Sequence, residues 1–547
     1  MRIGRTLAVA ALFASVLQAQ PPAGGQRFLL EEATIADLQQ RMQSGRETSR
    51  SLVEQYLARI EAIDRRGPAL RSVLESNPDA LAIADQLDAE RKSRGPRGPL
   101  HGIPILLKDN IATADKMMTT AGSLALAGTK PPKDAFIVER LRTAGVVILG
   151  KTNLSEWANI RSTHSSSGWS GRGGQTKNPY ALDRNPSGSS SGSGAAIAAN
   201  LAAVAVGTET DGSIVSPSNC NSLVGIKPTL GLLSRSGIVP IAHSQDTAGP
   251  MARTVADAAV LLAAMSGVDP DDSATRVGDP GVGPILSRGG RTRRSAPTDY
   301  SASLDANGLR GARIGVVRDK LFGYSVAADQ LADAAIADMK RLGATVVDPV
   351  KIPTLGKFGQ SEFEVLLFEF KADLNKYLIW LGPASPVHSL ADVIAFNDAH
   401  KDQEMPYFGQ EILKMAEKKG PLTDPKYKAA LASNRQKART LGIDAVMTQH
   451  KLDALFSPTG GVPWLIDLVN GDSSAANADA PSTITSVAGY PHITVPAGYF
   501  RGLPVGVSFF GRAWSEPTLI KLAYAYEQAT KHRKPPAFAP TADLTRN

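Results

Sequence analysis

Apolar and polar residues alternate along the chain in blocks that predict an α/β protein. TIADLQQRMQSGRETSRSLVEQYLARIEAID has apolar residues at helical spacing, with Thr34 and Thr48 placed as N-caps of two helices. GIPILLKDN and AGVVILGKTN are short apolar runs that end in polar residues and a lysine, and both predict buried strands. The helical segment DAFIVERLRTAG lies between them, and strand, helix, strand in this order favours a largely parallel sheet with helical crossovers.

The same alternation continues through the second half of the chain. ARIGVV, ATVVDP and LDALFSP predict strands, whereas ADQLADAAIADMKRLG and YKAALASNRQKARTLGIDAVM predict helices. The chain shows no internal repeat and no long low-complexity linker. It therefore predicts one large α/β domain with a variable insertion near residues 270–300.

Composition and charge describe a globular protein without a nucleic-acid partner. Of 547 residues, 42% are hydrophobic, which is enough for a large core. The net charge of +8 comes from 60 basic and 52 acidic residues that are mostly interspersed. The densest basic run lies in a glycine-rich stretch and predicts a solvated loop rather than a binding patch; it contains Arg288, Arg291, Arg293 and Arg294.

The N-terminus has the layout of a cleaved secretory signal. Arg2 and Arg5 precede the apolar run TLAVAALFASVL, and the polar, proline-rich QPPAGG follows Ala19. We expect residues 1–19 to be removed and the mature protein to be periplasmic or extracellular. An apolar run of 12 residues is too short to span a bilayer, and no later segment is long enough either, so no membrane span is expected.

Three features of the sequence point to chemistry that their context argues against. Gly145–Thr152 matches the phosphate-loop pattern GxxxxGK[ST], but its VVIL core is typical of a strand interior. Gly188–Gly192 matches GxSxG, but the preceding polar segment, with Pro179 and Pro186, cannot be the buried strand that a nucleophile elbow requires. Cys220, the only cysteine, has no nearby histidine and is interpreted as a small buried hydrophobe.

The segment SGSSSGSGAAIAANLAAVAVGTETDGSI predicts a turn, a small-residue helix and a second turn that together form a site. Glycines permit unusual backbone geometry, and consecutive amides around residues 210–213 could form an anion hole for acyl transfer. A flexible linker is the alternative, although a linker need not bury AAIAANLAAVAV. These residues allow a serine nucleophile without choosing among Ser187, Ser189, Ser190, Ser191, Ser193 and Ser213.

Longer motifs resemble the amidase signature family over nearly the whole mature chain. They are GIPILLKDNI, GKTNLSEWAN, GGQTKNPYALDRNPSGSSSGSGAA, the run from GTETDGSI to ARTVADAA, AGYPHITVPAG and LPVGVSFFG. TETDGSI, SQDTAGPM and LLFEFKADLNKYL are most similar to the bacterial peptide amidase branch. The resemblance implies one amidase domain over residues 27–537, with its signature core at about 100–260. It implies a central twisted, mixed and largely parallel sheet covered by helices on both faces.

The resemblance also assigns roles to individual residues. Lys108 is then the base, Ser189 the relay serine that follows a cis peptide bond, and Ser213 the nucleophile. The oxyanion and substrate are expected to contact Ser190 and the main-chain amides of Thr210, Asp211, Gly212 and Ser213. Many members have GGSSGGS and TDTGGS where this chain has SGSSSGS and TETDGS, so Ser191 and Asp211 replace glycines.

The activity implied by the resemblance is hydrolysis of a carboxamide. The substrate implied is the C-terminal amide of a peptide, from which ammonia would be released. Burial would lower the pKa of Lys108 so that it can accept a proton. No cofactor or metal is implied, since the chain has no HExxH or paired CxxC pattern. A small-molecule or peptide amide is the expected partner, and the protein is expected to be a monomer or homodimer. Two alternatives remain: a glutaminase-type amidotransferase subunit, and a catalytically silent exported binding protein.

Overall fold

A computed structural model describes residues 28–276, 299–472 and 480–545. The predicted signal at residues 1–19 lies outside the described residues, as do the four arginines and most of the predicted insertion at 270–300. Near the start of the described chain, Thr34 and Thr48 each cap a helix, as predicted. Each threonine side chain accepts a hydrogen bond from the third helical amide, and the residue at that position bonds back to the threonine amide.

An eleven-stranded mixed sheet forms the centre of the described chain. Its order is β1-β3-β2-β6-β8-β7-β12-β13-β11-β9-β10. Parallel neighbours occur in two blocks, β3-β2-β6 and β11-β9-β10, and the remaining neighbours are antiparallel. In chain order the strands are β1 (Val73–Ser76), β2 (Pro104–Lys108), β3 (Val147–Thr152), β4 (Trp169–Ser170), β5 (Gly174–Gln175), β6 (Val204–Glu209), β7 (Val224–Lys227), β8 (Thr247–Ala252), β9 (Arg313–Val317), β10 (Thr345–Val350), β11 (Ala454–Pro458), β12 (His492–Phe500) and β13 (Leu503–Phe510); β4 and β5 form a separate hairpin.

Helices surround this sheet and bury its apolar side chains. In chain order they are α1 (Ile35–Gln43), α2 (Ser49–Arg59), α3 (Ala80–Arg94), α4 (Phe136–Thr143), α5 (Ser191–Ala198), α6 (Val215–Cys220), α7 (Val255–Met265), α8 (Val326–Arg341), α9 (Gly359–Trp380), α10 (Leu390–Ala399), α11 (Lys401–Glu404), α12 (Glu411–Glu417), α13 (Pro425–Arg435), α14 (Asp444–Gln449), α15 (Pro481–Ala488) and α16 (Glu516–Thr530). Helices α5 and α6 contact each other and the central strands, while α7, α8 and α16 pack on many of the same strands. The predicted α/β architecture around a mixed sheet is confirmed.

The small-residue segment after residue 190 differs from its prediction. The sequence predicts one helix through AAIAANLAAVAV, but α5 ends at Ala198 and residues from Val204 form the central strand β6. Asn200 adopts a left-handed φ of 60°, and its side chain is bonded to Glu32. Beyond this break, valines at alternate positions favour a strand that is buried on both faces. Apart from Asn200 the run is apolar, so no polar face distinguishes the helix from the strand.

The phosphate-loop match lies in strand β3, as its apolar core predicts. Lys151 lies near the end of this strand but does not line the cavity of the candidate active site. Its Nζ is buried and donates to the carbonyl of Ile111 at 2.6 Å and to Thr119 Oγ1 at 2.8 Å. Within the described ranges, no helix combines the length and apolar character needed to cross a bilayer.

Candidate active site

The carboxyl ends of β2 and β6 meet the Ser/Gly turn before α5. Strand β2 ends at Lys108, β6 leads into residues 210–213, and the two strands are parallel neighbours. A cavity of about 270 Å³ opens here, and its lining includes Ser189, Thr210, Asp211, Gly212 and Ser213. The topology thus gathers side chains that are far apart in the sequence.

Lys108 has three hydrogen-bonding neighbours around its buried Nζ. The nitrogen lies 2.7 Å from Ser189 Oγ, 2.9 Å from Thr208 Oγ1 and 3.2 Å from the carbonyl oxygen of Thr208. Asn110 Nδ2 also donates to Thr208 Oγ1, at 2.9 Å. A neutral amine can donate two N–H groups to the Thr208 oxygens, which leaves its lone pair to accept the Ser189 hydroxyl proton.

Burial lowers the pKa of Lys108 toward neutral pH. Removal from water lowers the pKa of Lys108 to about 7, while the negative charges of Glu209 and Asp246 act in the opposite direction. A lysine with a pKa near 7 exchanges protons readily at neutral pH, which is what a general base needs.

The turn that carries Ser189 is held rigidly on both sides. The peptide bond between Gly188 and Ser189 is cis, and the Ser189 carbonyl accepts from the Ser155 amide at 3.1 Å. A Cβ at position 188 would collide with Ser155 Oγ, so glycine is required there. Ser190 is fully buried and is not among the described residues that line the cavity. Its Oγ is bonded to the backbone of Thr208, and its amide donates to the Ser213 carbonyl at 3.2 Å.

The turn from Thr210 to Ser213 has the geometry of an anion-binding loop. Gly212 has a φ of +78°, which an L-residue rarely adopts. Glu209 Oε2 accepts the next two amides, those of Ile214 and Val215, at 2.8 and 3.1 Å. The amides of Asp211, Gly212 and Ser213 donate to no other group of residues 28–276, 299–472 and 480–545. They are therefore free to bind an oxyanion in the cavity.

Asp211, which replaces a glycine common in the family motif, is accommodated by the start of α15. Its Oδ2 accepts a hydrogen bond of 2.8 Å from Thr483 Oγ1. Its Oδ1 is buried without a hydrogen-bond partner among the described residues. Burial raises the pKa of this carboxyl, and the hydroxyls of Ser482 and Thr483 oppose the shift.

A second cavity, of about 630 Å³, adjoins the first. Both are lined by Ala158, Thr210 and Ile241. One wall of the second cavity is a face of α9 that carries Lys376, Tyr377 and Trp380, among others. The site therefore has room for more than a small amide.

One group of potential metal ligands in the described chain borders this second cavity. His243, Glu369 and Asp373 have ligand atoms within 4.8 Å of one another. These atoms are already hydrogen-bonded, with His243 Nδ1 2.8 Å from Asp373 and the Tyr427 hydroxyl 2.7 Å from Glu369. Glu369 also accepts the Ser244 amide. The group ties the loop before β8 to helix α9.

Known proteins match this chain in both sequence and fold. The sequence model described as Amidase matches residues 51–520. The chain belongs to the amidase family. It is 44% identical over 536 residues to a probable amidase of Arabidopsis thaliana, with 96% of each chain covered. The native peptide amidase of Stenotrophomonas maltophilia superposes with a TM-score of 0.86 at 52% identity, covering 93% of this chain and 99% of that one.

A further relative has a different role. A glutamyl-tRNA(Gln) amidotransferase subunit from Myxococcus xanthus is 35% identical over 507 residues, covering 91% of this chain and 97% of the relative. The predicted family is confirmed, and this amidase is a hydrolase acting on amide C–N bonds.

Sequence reasoning named some residues of the candidate site and gave no role to others. It named Lys108, Ser189 and Ser213 from the family motifs, and the structure brings the first two within hydrogen-bonding distance. It gave no role to Thr208 or Asp246, although both stand in motifs on which the resemblance rests. Cys220 is buried, as predicted, and burial raises the pKa of its thiol to about 12.

Proposed function

We propose that the protein hydrolyses a primary carboxamide, namely the C-terminal amide of a peptide, and releases ammonia. Ser213 is the nucleophile, Ser189 the relay and Lys108 the base. The observation that carries this proposal is the buried contact of 2.7 Å between Lys108 Nζ and Ser189 Oγ, beside the cavity that Ser213 also lines.

The acylation step begins with neutral Lys108. Ser213 Oγ attacks the carbonyl carbon while its proton moves to Ser189, whose own proton moves to Lys108 Nζ. The carbonyl oxygen becomes an oxyanion, which the free amides of Asp211, Gly212 and Ser213 stabilise. A C–O bond has formed and no bond to nitrogen has yet broken.

The same relay then works in reverse. The proton on Lys108 returns through Ser189 to the amide nitrogen, the C–N bond breaks, and ammonia leaves an ester on Ser213. Water gives up a proton along this route as it attacks the ester. The products are a carboxylic acid and the free Ser213 hydroxyl.

Two observations favour a peptide over a small free amide. The second cavity adjoins the cavity that Ser213 lines, and together they offer space along which a chain can extend. The peptide amidase of Stenotrophomonas maltophilia is also 52% identical to this chain over almost its whole length. We further propose export, on the layout of the N-terminal sequence.

Ammonia release tests the activity and its substrate class. Purified protein would be given a peptide amide, an aryl amide, a fatty amide and free glutamine, in parallel with Ser213→Ala. We expect the highest kcat/KM for the peptide amide and a loss of several orders of magnitude in Ser213→Ala. Activity that survives in that variant would contradict the nucleophile assignment.

The second candidate is a glutaminase-type role within an amidotransferase, favoured by the 35% identity to the Myxococcus xanthus relative. Preference for glutamine over peptide amides in the same panel would support it. A silent binding protein of the same fold would release no ammonia from any substrate, and Ser213 would not react with a fluorophosphonate probe.

A further inference from the structure

Asp246 lies in the loop before β8 and holds the turn that carries the proposed nucleophile. Its Oδ1 accepts a hydrogen bond of 2.6 Å from Thr210 Oγ1. Its Oδ2 accepts the backbone amides of Ile241 and Ala242 at 2.8 and 2.9 Å. The neighbouring Gln245 adds a second link, because its Nε2 donates to the Thr210 carbonyl at 3.2 Å.

These contacts connect two walls of the site through one carboxylate. Thr210 begins the oxyanion turn, and Ile241 lines both cavities. Asp246 is half-buried in the lining of the second cavity, and the groups that donate hydrogen bonds to it in the described chain are neutral. Its negative charge has no ion-pair partner at contact distance among the described residues, and it acts through space on charges farther away, Lys108 among them.

The charged groups around Asp246 come from several elements. They are Lys108 at the end of β2, Glu209 at the end of β6, Arg235 in the loop after β7, His243 in the same loop as Asp246, and Asp373 on α9, which is bonded to His243. Two of them, Glu209 and Asp373, are acidic. Only Lys108 takes part in the proposed proton transfer.

We propose that Asp246 is a positioning residue for amide hydrolysis: its carboxylate holds the oxyanion turn through Thr210, and its charge stabilises the protonated form of Lys108. The inference rests on the proposed function, since it concerns the same base and nucleophile. It assigns a role to a residue of the SQDTAGPM segment that acts on the reacting groups through Thr210 and through space.

The electrostatic role depends on the order in which Asp246 and Lys108 lose their protons as the pH rises. Burial raises the pKa of Asp246 to about 6, with its three hydrogen-bond donors opposing the shift. Asp246 is thus ionised in the pH range in which Lys108, with a pKa of about 7, loses its proton. Without that charge, Lys108 would become neutral at a lower pH, and it would also bind the returning proton less firmly.

The test measures how fast a fluorophosphonate labels Ser213 as a function of pH, which requires no knowledge of the substrate. Asp246→Asn removes the charge but keeps atoms that can bond Thr210 and the two amides. We expect the midpoint of the pH–rate curve to move toward acid by about half a unit or more relative to wild type. An unmoved midpoint would overturn the electrostatic role.

Asp257→Asn is the matched control. Asp257 is buried, has a pKa that is likewise raised to about 6, and accepts the Ile35 amide on α1. It should lose a similar amount of thermal stability and leave the midpoint in place. An equal shift of the midpoint in both variants would also overturn the proposal.

Thr210→Val isolates the holding role, since it removes the hydroxyl and leaves the carboxylate. We expect the plateau rate of labelling to fall about tenfold or more. An unchanged plateau would overturn this part. Failure of the proposed function itself looks different: wild-type protein would then show no labelling at Ser213 at any pH.

Discussion

Lys108 is fully buried, in a place where proteins rarely keep an unpaired lysine. Its hydrogen-bonding partners are hydroxyls and a carbonyl, and the nearest acidic groups act on it only through space. Burial of this amine therefore costs stability, and with a pKa of about 7 the amine is uncharged in a large fraction of molecules at neutral pH. Such a cost is typical of catalytic positions, where stability is exchanged for reactivity.

The pH dependence of turnover should report this lysine directly. Because Lys108 must be neutral to accept a proton, kcat/KM should rise with pH through about 7 and level off above it. Lys108→Met should lower kcat by several orders of magnitude and abolish the rise of kcat/KM near pH 7. The measurement is kcat/KM on a peptide amide from about pH 5 to about pH 9. A curve without a limb near pH 7 would contradict the role of Lys108.

Two adjacent serines provide a matched pair for the relay. Ser189 contacts Lys108, whereas Ser190 is bonded to the backbone of Thr208. Ser189→Ala should lower kcat by about 10²- to 10⁴-fold with little change in melting temperature. Ser190→Ala should lower the melting temperature and retain far more activity, because it loses buried hydrogen bonds. Steady-state kinetics and thermal unfolding of both variants check this, and a reversed order would contradict it.

At the level of single elements, the turn between β6 and α6 determines the geometry of the site. Glu209 receives the first amides after Ser213, and Gly212 supplies a backbone conformation that other residues resist. The amides proposed to bind the oxyanion are thus left without a partner among the described residues, because their neighbours are bonded elsewhere.

Glycine substitutions test this turn. Gly212→Ala should lower kcat about a hundredfold or more, because φ is +78° and a Cβ would lie 3.1 Å from Ser482 Oγ. Gly502→Ala is the control: its φ is +79°, nothing lies within 4 Å of a Cβ there, and it sits in the hairpin between β12 and β13. Both variants should lose some stability, measured by thermal unfolding. A comparable loss of kcat in both would contradict the assignment.

Elements with a polar side were predictable from the sequence, and elements without one were not. Helices α1 and α2, which Thr34 and Thr48 cap, and the amphipathic α8 each have both apolar and polar positions. Their periodicity therefore indicates a helix. The segment from α5 to β6 is buried throughout, and its helix and strand look alike in sequence. The contacts of Asp246 could not be predicted either, because the carboxylate meets Thr210 only when β6 and β8 pair.

Across the whole molecule, the sheet brings together residues that no local pattern connects. Lys108 and Ser189 are 81 positions apart, and Lys108 and Thr208 are 100 apart. The motifs identified the family because their residues resemble those of relatives, while the distances between them follow from the strand order. The larger cavity likewise combines loops and helix α9 from distant parts of the chain.

The proposal of export also concerns the molecule as a whole. Expression in a bacterium with an intact secretory pathway should yield a mature protein outside the cytoplasm whose N-terminus lies near residue 20. Intact-mass measurement and N-terminal sequencing of the purified protein check this. Replacing Arg2 and Arg5 with glutamate should impair export without changing the activity of protein that is processed. An unprocessed, cytoplasmic product from the native sequence would contradict the proposal.

The outermost strand β10 affects how the protein behaves at high concentration. It carries Asp348, held by Arg318 at 2.7 and 2.8 Å, followed by Pro349, which has no N–H to offer a neighbouring strand. A charge and a missing donor at an open edge disfavour the addition of a strand from another molecule. Strand β10 thus protects this edge of the large sheet against edge-to-edge aggregation, which would remove the enzyme from solution.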